Sequence, residues 1–519
     1  MMTPSEATSR RPGVSRLLRC VCWSLPLLVC VLIAYIPSES YVVNLVTDDA
    51  LYYPTIARSI VMGGGSSYDG ITQTNGYHPL WLWLELPVAA LAGRLEPLTY
   101  LWFIKLFMCG VVLLALMVWE RLIQRVTRSG WLTSTIVLLL GSYWWSIYTL
   151  YSGLETPLVI LLMGTSVLLA HRLLSSDTPS PCLLLSLAVA MAATFLARLD
   201  TVFFLAVLGV PTLIGLKRNI QRALIWLVPM ILLPLPYLWW NLSNFGSIVP
   251  VSGLKKTVVG INLALQYNIF AKFWLDKLAK ALGFLHPVGA VILLIAIAVA
   301  LYFLRRQIGD QLKRLSILWV VPICALLHYG YTSIFMSEGD IYWYQYSEYL
   351  TAFLMLAVVV AAAAAWLRAH ARLAVAQWLP ITVVLIGVLA VLTLYVPRKL
   401  PNQVNLQAYR TAVWARGHVD SESGPRFGMV DSGIFRFVSG FKTLSLNGLA
   451  GDRQLLELVR QEALPEIINH YKLNYVTYFY PTEKIVGIPP NYVLYRSDPY
   501  TYVRRGQMLV IDAAYWSAR

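Results

Sequence analysis

Residues 46–86 form the most unusual segment of this 519-residue chain, and they read VTDDALYYPTIARSIVMGGGSSYDGITQTNGYHPLWLWLEL. Two adjacent carboxylates, Asp48 and Asp49, lie shortly after a hydrophobic run at 17–36. Acidic residues at the start of an amphipathic stretch can cap a helix and complement its dipole. One Asp, or Thr47, would suffice for that role. Adjacent carboxylates also repel each other, which raises the pKa of one of them and helps that carboxylate to act as a proton acceptor. The segment therefore predicts an interfacial loop whose carboxylates either cap a helix or act in catalysis.

The composition excludes an ordinary soluble protein. Charged residues make up 13% of the chain and its mean hydropathy is +0.63, whereas soluble domains carry roughly 25% charged residues. Apolar runs long enough to cross a bilayer recur from residue 17 to residue 396, and the chain then turns to mixed charges and alternating patches such as LNYVTYFY. We expect a polytopic α-helical membrane protein with a short N-terminus (1–16), a transmembrane module (17–397) and a water-facing C-terminal α/β domain (398–519).

Basic residues in short loops orient such a protein, because they remain on the cytoplasmic side. The net charge of +15 is concentrated in such loops, so it is a topology signal and no nucleic-acid partner is expected. The orientation that keeps the basic clusters inside has eleven spans, a cytoplasmic N-terminus and an extracytoplasmic C-terminal domain. The predicted spans are 17–36, 98–119, 131–150, 156–171, 181–197, 201–216, 222–240, 284–304, 315–335, 349–367 and 375–396. If the apolar segment 79–93 crossed the membrane, every later loop would change sides and the basic clusters would lie outside. The segment is therefore predicted to form an interfacial or re-entrant helix within the first outer loop, 37–97.

This topology places the unusual motifs on one membrane face. The outer loops contain TDDA, YSGLETP, LARLDT, WNLSNFGSIVPVSGLKK and SEGDIYWYQY. A bundle of spans would bring these loops around one outward-facing cavity.

Several residues in these loops have both a structural and a functional interpretation. His78, beside Tyr77 in NGYHP, either supports the loop or donates to a lipid phosphate. Glu155 either caps the span that follows it or binds substrate. Arg198 and Asp200 lie in a turn so tight that they can pair with each other, unless Arg198 holds an anion.

The last two groups face a similar choice. Lys255 and Lys256 are an unusual pair for an outer loop; they either bind a phosphate near the headgroup layer or face solvent. Trp343 and Tyr344 belong either to an interfacial aromatic belt or to a wall against sugar rings. The histidines outside the first loop lack metal-ligand spacing, so no metal site is expected at His286, His328 or His418.

The pattern of these motifs resembles the bacterial GT-C superfamily of integral membrane glycosyltransferases, the relatives of protein O-mannosyltransferases, aminoarabinose transferases and arabinofuranosyltransferases. The resemblance is carried by Asp-Asp-Ala with Tyr-Tyr, Ile-Ala-Arg, the glycine loop, DGITQTNGYHPLW, GLETP and ARLD, and its most specific part is 47–82. It implies an inverting transfer of a hexose or pentose from a polyprenyl-phosphate donor to a glycan, lipid or exported protein, on the outer face of the bacterial inner membrane. The metal-binding acidic set of the oligosaccharyltransferase branch is not evident, so no cofactor is expected. The motifs DSGIFRFVSG and LSLNGLAGD resemble the tail domains of uncharacterised members.

The resemblance maps the family's catalytic acidic residue onto Asp48 or Asp49, with Asp48 favoured, and we expect the pair to act as base and orienting partner. The expected phosphate binders are Arg58, His78, Arg198, Lys255 and Lys256, and the polyprenyl tail would lie between apolar spans in contact with membrane lipids. A sugar or lipid transporter is the alternative from another class. Transporters normally place ionisable groups near the bilayer midplane, whereas the predicted spans are almost free of charge apart from Lys105.

Overall fold

The computed structural model describes residues 12–217, 219–257, 287–336, 342–370, 402–481, 489–497, 500–502 and 504–517. The first thirteen helices are α1 (Pro12–Tyr35), α2 (Ser38–Asn44), α3 (Tyr52–Val61), α4 (Pro79–Ala92), α5 (Pro97–Thr127), α6 (Gly130–Ser142), α7 (Trp144–Leu150), α8 (Thr156–Leu174), α9 (Pro181–Ala197), α10 (Val202–Leu216), α11 (Ile220–Leu232), α12 (Leu235–Phe245) and α13 (Val251–Lys256). The remaining helices are α14 (Pro287–Arg314), α15 (Val320–Phe335), α16 (Tyr346–His370), α17 (Gln403–His418), α18 (Gly433–Ser439), α19 (Arg453–Arg460), α20 (Leu464–Tyr471) and α21 (Ala514–Ser517).

Local sequence signals account for where the long helices begin and end. The Glu96 carboxylate accepts the backbone N–H of Leu98 at the start of α5, and Pro97 occupies the first turn, where its missing N–H costs nothing. The same helix ends where Arg128 adopts a left-handed conformation. Ser180 and Pro181 begin α9 in the same way.

Every predicted span up to residue 367 coincides with a helix or a pair of helices, and the predicted span 375–396 lies outside the described residues. In the described part of the chain, five helices are long and apolar enough to cross a membrane, and the number is seven if each of two bent pairs is one span. This count is lower than eleven because the predicted span 375–396 is not described and because several elements are short or broken: α9 has 17 residues, and α6 and α7 divide the predicted span 131–150. The chain is a multi-pass membrane protein.

The apolar segment 79–93 forms α4, which has 14 residues. A helix of that length extends about 21 Å, which is less than the roughly 30 Å thickness of a hydrocarbon core. The helix packs against α3, α5 and α9, so its position is set by neighbouring helices of the bundle.

The C-terminal region contains a six-stranded mixed sheet covered by short helices, as the α/β prediction requires. Its strands are β1 (Arg426–Met429), β2 (Lys442–Ser445), β3 (Tyr475–Pro481), β4 (Val493–Arg496), β5 (Tyr500–Tyr502) and β6 (Arg504–Asp512). The order is β2-β1-β3-β6-β4, with β5 also paired to β6. Strand β1 runs parallel to β2 and β3, and β6 runs antiparallel to its partners.

The sheet region is joined closely to the first predicted outer loop. Phe427 and Phe435 belong to the same buried hydrophobic cluster as Ile56 in α3 and Trp81 in α4. The Tyr68 and Ser432 hydroxyls lie 2.9 Å apart, and the Thr443 N–H donates to the Asp69 carbonyl. The predicted C-terminal domain therefore packs directly on the first predicted outer loop.

Candidate active site

Five separate loops and the C-terminal region meet at one cleft, as the shared-face prediction requires. The cleft contains about 460 Å³ of empty space and is open to solvent. Its lining residues come from the first predicted outer loop, the turns before α8 and α10, helix α13, the turn before α16 and the C-terminal region: Asp49, Tyr52, Tyr53, Gly76, Tyr77, His78, Leu154, Glu155, Arg198, Ser252, Lys256, Trp343, Tyr344 and Leu449.

The two adjacent carboxylates point to different surroundings. Both belong to the 3₁₀ turn Asp48–Leu51, in which consecutive side chains are about 120° apart. The Asp49 carboxylate lines the cleft, and its Oδ2 lies 3.5 Å from Nζ of Lys256. Asp48, which the sequence favours as the catalytic residue, is not among the lining residues.

Asp48 instead holds the C-terminal region against the first loop. Its two carboxylate oxygens accept the backbone N–H groups of Gly433 and Ile434, each at 2.8 Å, at the beginning of α18. Position 433 requires glycine, because a Cβ there would collide with the Asp48 carbonyl oxygen. Burial and the nearby charge of Asp431 raise the pKa of Asp48 to about 8, while the two N–H donors act in the opposite direction.

Arg198 organises another part of the cleft wall. Its side chain is 1% exposed; Nη1 donates to Glu155 at 2.9 Å and to the Trp343 carbonyl at 2.8 Å, and Nε donates to Asp200 at 3.0 Å. The guanidinium also lies over the Tyr344 ring, 4.5 Å from its centroid. The predicted Arg198–Asp200 pair is therefore present, and it extends to Glu155.

Lys256 brings a second cation to the cleft. Its side chain is 8% exposed, and its Nζ lies 5.1 Å from the Tyr344 ring centroid in addition to its contact with Asp49. Asn75 fixes the approach of this segment through its side-chain amide: Nδ2 donates to Oδ1 of Asn241, and Oδ1 accepts the N–H of Val251 at the start of α13. Position 255 is half-buried and does not line the cleft.

Three residues of the NGYHP motif, Gly76, Tyr77 and His78, line the cleft, and the last two bring polar side chains to it. The Tyr77 hydroxyl lies 2.9 Å from the Ser66 hydroxyl, which fixes the ring at the cleft wall. Nε2 of His78 lies 3.7 Å from Glu155, and burial lowers the pKa of His78, so the imidazole is neutral at pH 7. Its Nδ1 is buried and has no hydrogen-bond partner among the described residues, so a bound molecule could supply one.

The sequence analysis missed a buried ionisable group behind Arg198. His328, on α15, is fully buried between two carboxylates: Nε2 is 3.3 Å from Asp200 and Nδ1 is 3.4 Å from Glu348. The Tyr346 hydroxyl donates to Asp200 as well. A sequence signal existed, because an ionisable residue in an apolar span is a functional candidate by default.

The predicted site residues thus fall into two groups. The cleft gathers Asp49, Tyr77, His78, Glu155, Arg198, Lys256 and Tyr344. The second group, Asp48, Asp200, Arg58 and Lys255, does not line the cleft. Within it, Asp48 contacts the start of α18 and Asp200 contacts the lining residue Arg198. Within the described ranges, no group of three His, Cys, Asp or Glu residues is arranged to hold a metal ion.

Comparisons with solved structures identify the fold of this chain. No protein-family model and no curated protein matches this sequence. The crystal structure of ArnT from Cupriavidus metallidurans bound to undecaprenyl phosphate is similar over 95% of this chain and 98% of its own, with a TM-score of 0.54 and 12% identity. Its apo structure gives the same coverage, a TM-score of 0.55 and 14% identity. The apo oligosaccharyltransferase from Archaeoglobus fulgidus is similar over 90% of this chain and 70% of its own, with a TM-score of 0.50 and 11% identity.

The similarity covers the transmembrane helices and the C-terminal region together, since nearly the whole of this chain aligns with nearly the whole of ArnT. It agrees with the resemblance carried by the motifs at 47–82. The chain has a GT-C-type fold, the fold of integral membrane glycosyltransferases.

Proposed function

We propose that the protein is a glycosyltransferase that moves a sugar from a polyprenyl-phosphate donor to an acceptor at this cleft. The observation that carries the proposal is the pairing of Asp49 with Lys256 in a cleft built from five loops and the C-terminal region. A carboxylate and a cation at such a site supply the two needs of the reaction, which are a base for the acceptor and a counter-charge for the departing phosphate. The similar ArnT structure contains undecaprenyl phosphate.

In the proposed reaction, the acceptor hydroxyl attacks the anomeric carbon while its proton passes to the Asp49 carboxylate. The bond between the anomeric carbon and the phosphate oxygen breaks, and polyprenyl phosphate leaves with the electron pair. A single displacement of this kind inverts the anomeric centre. No strong general acid is needed, because a phosphate ester is already a good leaving group.

The remaining cleft residues suit supporting roles. Lys256 would bind the donor phosphate, and the neutral His78 would contact the phosphate or sugar through its unpartnered Nδ1. Arg198 is already committed to two carboxylates and a carbonyl, so it would fix Glu155 for contact with sugar hydroxyls. The Tyr77 and Tyr344 rings would bound the sugar.

The proposed orientation places the cleft and the C-terminal region on the extracytoplasmic face and the N-terminus in the cytoplasm. It follows from the basic clusters at the opposite ends of the helices, which would remain inside. The acceptor would be a glycan, a lipid or an exported protein, and the donor would be drawn from the surrounding bilayer.

The test is turnover by the purified protein in nanodiscs, with a panel of synthetic polyprenyl-phosphate hexoses and pentoses and an envelope extract as acceptor. We expect release of free polyprenyl phosphate from at least one donor. Lys256→Gln should raise the donor KM at least tenfold, whereas Lys255→Gln, its matched neighbour outside the cleft, should change the KM less than twofold. Movement of intact donor across the bilayer without release of polyprenyl phosphate would instead identify a transporter.

A further inference from the structure

Three helix ends meet at the face of the bundle opposite the cleft. Helix α5 starts beside the first loop, where Tyr100 donates to the Pro54 carbonyl, and it runs for 31 residues before it ends at Thr127. Helix α8 begins directly after Glu155 and ends at Leu174. At about 1.5 Å per residue these helices are roughly 46 Å and 28 Å long.

The third component of this face is the junction between α14 and α15. The chain bends by 99° between the segments Leu301–Arg314 and Ser316–Thr332, and Ser316 has a positive φ of 46°. From this bend α15 returns toward the cleft, since Met336 pairs with Thr257, the residue after Lys256.

A basic cavity lies between these three helix ends, with about 600 Å³ of empty space. Four of its ten lining residues are Lys or Arg, namely Arg125, Arg128, Lys313 and Arg314, a fifth is His171, and none is acidic. The nearby Asp310 is only 3.8 Å from Lys313, and both side chains are largely exposed. Basic residues at helix C-termini complement the helix dipole, but that effect does not explain why three ends converge on one cavity.

A second, apolar cavity continues from the basic one and shares Ser316 and Ile317 with it. It has about 1010 Å³ of empty space, and its walls include Val210, Trp319 and Ile323. These three side chains are 57%, 40% and 46% exposed, as expected for groups that face hydrocarbon.

We propose that the two cavities form one binding site for an anionic membrane phospholipid. The headgroup phosphate would lie among Arg125, Arg128 and Arg314, and the acyl chains would follow the apolar cavity along α10 and α15. Charge complementarity selects an anionic headgroup, and basic pockets between transmembrane helices on the cytoplasmic side bind such headgroups. The site is distinct from the cleft and does not depend on the proposed transfer reaction.

The experiment is native mass spectrometry of the intact protein in detergent with equimolar phosphatidylglycerol and phosphatidylcholine. The test variant is Arg125→Gln/Arg314→Gln. The matched control is Arg121→Gln/Arg306→Gln, which removes the same charge from the same two helices at positions outside both cavities. Thermal unfolding in detergent, measured on all three proteins, verifies that each is folded.

We expect wild type and control to retain phosphatidylglycerol over phosphatidylcholine with affinities within twofold of each other. The test variant should bind phosphatidylglycerol roughly thirtyfold more weakly, since each of the two basic side chains near an anionic headgroup contributes about fivefold. Equal loss in the control would overturn the proposal, because the attraction would then be diffuse. Preference for undecaprenyl phosphate over phosphatidylglycerol in a competition arm would overturn it as well, because the occupant would then be the carrier lipid.

Discussion

The buried Arg198 allows a quantitative test of how the cleft is built. The guanidinium is 1% exposed and forms ion pairs with Glu155 and Asp200, whose side chains are 3% and 14% exposed. Removing one partner from a buried ion pair costs about 3–5 kcal/mol, because a charge is left without compensation. We therefore expect Arg198→Met, which keeps an apolar stem of similar length, to lower the free energy of unfolding by about 3–5 kcal/mol.

The remaining contacts show which of the two carboxylates is left without a charged partner when Arg198 is removed. Without Arg198, Asp200 keeps His328 and the Tyr346 hydroxyl as partners, whereas Glu155 keeps the Tyr53 hydroxyl and a distant His78. Adding Glu155→Gln to Arg198→Met should therefore restore about 2 kcal/mol, since the unpaired charge is removed.

The assay is unfolding by SDS in mixed micelles, followed by far-ultraviolet circular dichroism. The matched control is Arg416→Met, because Arg416 also contacts a carboxylate, Glu96 at 2.7 Å, but both side chains are about half exposed. An exposed pair contributes at most about 1 kcal/mol. The reasoning would be refuted if Arg198→Met and Arg416→Met cost the same, or if the double variant were no more stable than Arg198→Met.

Two further predictions concern residues behind the cleft. Folding raises the pKa of Asp48 to about 8. The contribution of Asp48 to the free energy of unfolding is therefore fully present below about pH 4 and is lost as the pH rises through 8. Asp48→Asn should abolish this loss, which thermal unfolding from pH 5 to pH 9 measures. His328→Gln should lower kcat roughly tenfold, equivalent to one buried hydrogen bond of about 1.4 kcal/mol, and leave the donor KM within twofold. In an Asp200→Asn background, His328→Gln should cause no further loss of kcat, because both residues act through Arg198. Additive losses of kcat in the double variant would contradict this role.

The sequence predicted the helical elements because apolar runs and capping residues are local signals. It also predicted which loops meet, because the basic clusters fix one orientation for all the spans and so place those loops on one face. The motifs at 47–82 and around Glu155 and Arg198 are the parts of the cleft that resemblance identified.

The sequence could not decide which member of each adjacent pair faces the cleft. In a 3₁₀ turn Asp48 and Asp49 point about 120° apart, and in α13 Lys255 and Lys256 point about 100° apart. Which member points inward depends on the rotation of the element, and packing against distant segments sets that rotation. For the first pair the decisive contact is α18, which begins 385 residues after Asp48.

The packing of the C-terminal region against the first loop also could not be predicted from local sequence signals. The sequence gives no pattern for a backbone contact as close as that between Gly433 and Asp48. His328 was missed because its two carboxylate partners lie 128 and 20 residues away in sequence, and neither spacing is a known ligand motif.

The most direct test of the central claim compares Asp49→Asn with Asp48→Asn in the release of polyprenyl phosphate from a donor that wild type turns over. If Asp49 is the base, Asp49→Asn should lower kcat at least a hundredfold while still binding donor, and Asp48→Asn should retain activity within tenfold of wild type. Full activity in Asp49→Asn, or loss confined to a folded, donor-binding Asp48→Asn, would contradict the account.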